Sequence, residues 1–152
     1  MIRNLTMVSA IAACLVSASS VFAQNAPDPV DVAQRCVAQM EQVTDRTVGA
    51  VGDTTQRVID RIADLDASGA SDREIVAAGR AGSERVARIG NFGARGISHL
   101  ERRCVGLLVR LEAERTLIQR VRGAAEGFRE DIGNAVQRGT MAIRQAVADA
   151  IG

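Results

Sequence analysis

Residues 65–75 read LDASGASDREI, Leu65 to Ile75, and this stretch divides the chain. Gly69 suits the left-handed residue that closes a helix. Ser71-Asp72-Arg73-Glu74 is a capping box, in which the serine hydroxyl serves the amide of Glu74 and the carboxylate reaches back. Residues 67–71 therefore form a tight turn between two helices, and so short a turn joins antiparallel neighbours.

The first helix begins at Asp28-Pro29-Val30-Asp31, with aspartate at the N-cap and proline at the first helical position. Val37, Met40, Thr44, Thr47, Val51, Thr54, Val58, Ile62 and Leu65 then recur at steps of three and four, a heptad-like stripe. Beyond the turn, Gly79, Gly82, Val86, Gly90, Gly93, Ile97, Leu100, Cys104 and Leu107 continue in the same manner. No tandem repeat is evident beyond the heptads. The fold expected is all-α: a long antiparallel helical hairpin, about residues 29–66 and 72–108, closed by a disulfide, with a further amphipathic helical extension to the C-terminus.

The disulfide follows from the register. Residues facing each other across a turn centred near position 69 have numbers totalling about 138, and Cys36 with Cys104 comes within a helical turn of that. Charge and size agree. Residues 28–66 carry eight acids and four arginines, and residues 71–104 carry four acids and seven arginines. The same register sets Thr44, Thr47 and Val51 opposite Gly96, Gly93 and Gly90, so close approach of the two backbones is expected there.

The N-terminus reads as a secretory signal peptide over residues 1–23, with cleavage after Ala23. Ile11-Ala12-Ala13-Cys14 is a loose lipobox, but more apolar residues follow it instead of a polar tether. Residues 24–152 then form a single elongated helical domain, periplasmic or extracellular, where two remaining cysteines are read first as a disulfide. Every basic residue is arginine, and 18 arginines after Arg3 balance 18 acids. Near-neutral charge argues against nucleic acid and disfavours a membrane surface as partner.

No catalytic constellation is legible, and no enzyme activity, cofactor or metal is expected. His99 is the only histidine, which excludes a histidine-based triad or metal cluster. The glycines form no phosphate-binding motif. One stripe is left without a partner: Leu111, Ile118, Val121, Phe128, Ile132 and Ile143. A fold-back would need a break near Gly123, where no cap stands. The stripe is therefore expected to pair with a second copy of the chain or with another protein, leaving the hairpin to fold alone. The function expected is an exported helical scaffold or interaction protein that self-associates through its C-terminal helix. The alternative is a periplasmic holdase-type chaperone or envelope-stress protein.

Overall fold

The computed structural model describes residues 27–152; the signal peptide expected over residues 1–23 and Cys14 lie outside them. Three helices follow one another: α1 (Pro29–Ala67), α2 (Asp72–Arg110) and α3 (Arg115–Ile151). They run alternately up and down, and each packs against both others. The result is a slender three-helix bundle with its core along the common axis.

The two connections use the same device. After α1, Ala70 N–H donates to Leu65 O (3.0 Å) and Gly69 N–H to Asp66 O (2.9 Å), with Gly69 at φ 71°. After α2, Ala113 N–H donates to Leu108 O (3.0 Å) and Glu112 N–H to Val109 O (3.1 Å), with Glu112 at φ 52°. Both are Schellman closures, which satisfy carbonyls orphaned at a helix end. Only the first places a glycine in the left-handed position. The capping box at Ser71 forms: the Glu74 carboxylate accepts the Ser71 amide (2.9 Å) and hydroxyl (2.7 Å). The hydroxyl bond, then the amide bond, holds the Glu74 carboxyl below its ordinary value.

The core repeats every 11 residues, not every seven. Met40, Val51 and Ile62 in α1, Ile75, Val86, Ile97 and Leu108 in α2, and Val121, Ile132 and Ile143 in α3 are all buried at that step. An 11-residue repeat spans three helical turns at about 3.67 residues each, which winds helices right-handedly where heptads wind them left-handedly. The heptad reading drifts accordingly. It selects Val37 and Leu107, which are half-buried, in place of Cys36 and Leu108, which are buried.

The same period orders the seams. Between α1 and α2, Val58 fills the space over Gly82, Thr47 that over Gly93, and the Cys36–Cys104 disulfide comes next, all pairs totalling 140 in number. Between α2 and α3, Val147 covers Gly79 and Val136 covers Gly90. Between α1 and α3, Thr55 covers Gly139. Gly93 thus meets Thr47 as its position implies, whereas Gly90 turns to the third helix and Gly96 lies in ordinary contact with Val43 (3.5 Å). Three of the four buried threonines bond within their own helix. Thr44, Thr47 and Thr55 hydroxyls donate to the carbonyls of Met40 (3.0 Å), Val43 (2.7 Å) and Val51 (2.8 Å).

Cys36 and Cys104 are bonded, with Cα atoms 6.0 Å apart and a sequence separation of 68. Closing a loop of that length stabilises by about 4 kcal/mol in the chain-entropy account. The Cys36→Ser/Cys104→Ser variant is expected to lose about that amount in urea unfolding; a loss under about 1 kcal/mol would mean that the reduced chain is already constrained.

The C-terminal segment departs from the sequence-based expectation. It folds back at Leu111–Glu114, and α3 passes through Gly123 without interruption. Its stripe is covered from within the chain, because the first two helices leave a groove along their common side. Glu112 explains why this break was illegible: a non-glycine residue in the left-handed region costs about 1–2 kcal/mol. Glu112→Gly is therefore expected to raise stability by about 1 kcal/mol, seen as a higher melting temperature; an unchanged or lower one would show that the Glu112 side chain stabilises the turn.

Candidate interaction surfaces

The residues singled out from the sequence fall into two groups. Cys36 and Cys104 come together at the end of the bundle where α2 meets α3. Of the stripe, Val121, Ile132 and Ile143 are fully enclosed, at 0%, 2% and 0% exposure. Leu111, Ile118 and Phe128 are half-buried and pack against the same core. A second subunit could reach the first three only by unpacking α3. The premise for pairing through this stripe, that it lacked a partner, is removed by the fold.

Among the described residues no three His, Cys, Asp or Glu side chains gather as a metal site, and no buried side-chain polar atom lacks a hydrogen bond. His99 is exposed on α2. The one ion pair among them within 4.0 Å joins Arg129 to Glu101 (2.6 Å) across the α2–α3 seam. It is partly exposed and worth no more than about 1 kcal/mol.

What remains is the outside of the bundle. Phe92 is 80% exposed and Met141 60%, the two most exposed of the large apolar side chains described. Arg88 and Arg95 stand one turn either side of Phe92 on α2, both exposed. Phe92 belongs to no stripe, so periodicity does not single it out. Its signal is the reverse, a large aromatic residue off the apolar phase.

At the disulfide end, α1 and α2 frame an open groove of about 540 Å³. Arg35, Arg102, Arg103 and Arg110 line it together with Leu100 and Leu107, over a floor that includes the disulfide. No helix of the described residues is long and apolar enough to cross a membrane. Comparison with protein-family models, curated proteins and solved structures finds no match for the chain.

Proposed function

We propose that this chain is an exported, non-enzymatic protein-interaction module, a disulfide-closed helical scaffold that works through its outer surface. The carrying observation is Phe92: 80% exposed at mid-bundle and set between arginines. Aromatic, methionine and arginine side chains are the types enriched at protein interfaces. The N-terminal leader and the disulfide support export. The filled seams, with small residues receiving valine and threonine, favour a rigid support over a site that opens.

This reading keeps the scaffold expectation but moves its contact surface from the buried α3 stripe to exposed side chains, Phe92 on α2 and Met141 on α3. Light scattering is expected to give a monomer at tens of micromolar. Photo-crosslinking residues placed at Phe92 and Met141 in the native host are expected to give discrete protein adducts. A holdase would instead suppress aggregation of an unfolded client at near-equimolar ratio, and no suppression is expected. Absence of adducts at both positions, or strong suppression, would overturn the reading.

A further inference from the structure

We infer that the groove over the Cys36–Cys104 disulfide is a docking site for an acidic, leucine-bearing segment of a partner protein. The inference deepens the interaction-module reading and rests on it. Three observations converge, and each concerns a different property.

The first is charge. The mature chain is balanced overall, yet between Arg85 and Arg110 α2 carries six arginines and one carboxylate, Glu101. Glu101 is committed to Arg129 on the far seam. From α1 the groove receives Val32, Arg35, Cys36 and Gln39, again with no acid. Arg35, Arg102, Arg103 and Arg110 are exposed and, among the described residues, have no carboxylate within 4.0 Å. Four guanidiniums with no carboxylate among the groove's lining residues leave it cationic. Their planar forks suit carboxylates in bidentate geometry.

The second is shape. Gly106 on α2 presents no side chain, and the Arg110 guanidinium reaches back over it, with Nη1 3.8 Å from where a Cβ would stand. Leu100 and Leu107 are half-buried between the arginines. A concavity with apolar patches and cationic rims takes a segment that alternates acids with leucine, not a flat anionic surface.

The third is the disulfide. Arg35 immediately precedes Cys36, and Arg103 immediately precedes Cys104. The bond therefore fixes the two walls of the groove relative to each other, with its cysteines only 7% and 5% exposed. Walls already held at a fixed separation cost less to order on binding than two helices free to move apart.

The test is fluorescence anisotropy on the disulfide-closed protein, using a labelled peptide of repeated Glu-Glu-Leu. Its Gln-Gln-Leu counterpart and phosphatidylglycerol vesicles form the comparison arms. The acidic peptide is expected to bind in a salt-sensitive manner and the glutamine peptide roughly tenfold more weakly. Arg35→Gln/Arg103→Gln should weaken binding by at least about tenfold at an unchanged melting temperature. Arg80→Gln/Arg144→Gln, toward the opposite end of the bundle, should change it less than about twofold. If the first variant melts early, Arg102→Gln/Arg110→Gln takes its place, because it leaves both cysteine neighbours intact. Equal losses from the variants at the two ends would reduce the effect to bulk charge and overturn the site. So would failure of the acidic peptide to bind, whether or not vesicles are captured. Discrete adducts at Phe92 without peptide binding would sink this groove and leave the interaction-module reading standing.

Discussion

Gly93→Leu is expected to destabilise the bundle by about 3 kcal/mol or more, the upper end of what overpacking costs. Even a Cβ at Gly93 would overlap Thr47, whose own Cβ lies 2.9 Å away and whose two branches lie closer still. Rotation about χ1 offers no escape, since a β-branched side chain fills the space in every rotamer and is stiff in a helix. Thr47 is also held by its hydroxyl bond to Val43 O (2.7 Å). Helix propensity pulls the other way, favouring any ordinary residue over glycine by up to about 1 kcal/mol. Packing wins by a wide margin. The contrast is built into the same chain: at Gly49 and Gly127 nothing lies within 4 Å of where a Cβ would stand, so Gly49→Ala and Gly127→Ala should each stabilise by about 1 kcal/mol. Urea unfolding of the three variants decides it, and a Gly93→Leu protein more stable than the parent would refute close packing at this seam.

The seam was partly legible in the sequence, and the limits have physical causes. Gly69 and the Ser71–Glu74 box mark the first turn because a left-handed glycine and a capping box are local chemistry. The turn then sets the register, and the register pairs Cys36 with Cys104 and Thr47 with Gly93. The second turn carries no such mark, because Glu112 occupies a conformation that sequence normally reserves for glycine or asparagine. Periodicity failed for a subtler reason. Steps of four, four and three and steps of three and four coincide over two turns, and separate where drift has moved the stripe from Cys36 to Val37 and from Leu108 to Leu107. The groove arginines were legible only as charge imbalance. Placing Arg35 beside Arg103 required the disulfide to be read as a wall of a site as well as a brace.

Removing residues 111–152 is expected to abolish the fold, a larger effect than any single substitution. The hairpin reading expected the opposite, a self-sufficient pair of helices. In the bundle, however, α3 supplies Val121, Ala125, Ile132, Ala135 and Ile143 to the two core clusters. Each large apolar side chain so buried contributes about 1.5–3 kcal/mol, and a domain of this size is stable by only about 5–15 kcal/mol. The loss is felt on both sides of the interface, because Gly79 and Gly90 then face water where Val147 and Val136 stood. Between α1 and α2 there remain Val58 over Gly82, Thr47 over Gly93 and the disulfide, which close one side of a core that α3 otherwise covers. The disulfide limits how far the two helices separate, but it orders no side chains. A chain ending at Arg110 should therefore show weak helicity and no cooperative thermal transition by circular dichroism. Adding a separate peptide of residues 113–152 should restore both. A truncated chain that melts cooperatively without the peptide would return the hairpin to independence and make α3 an accessory helix.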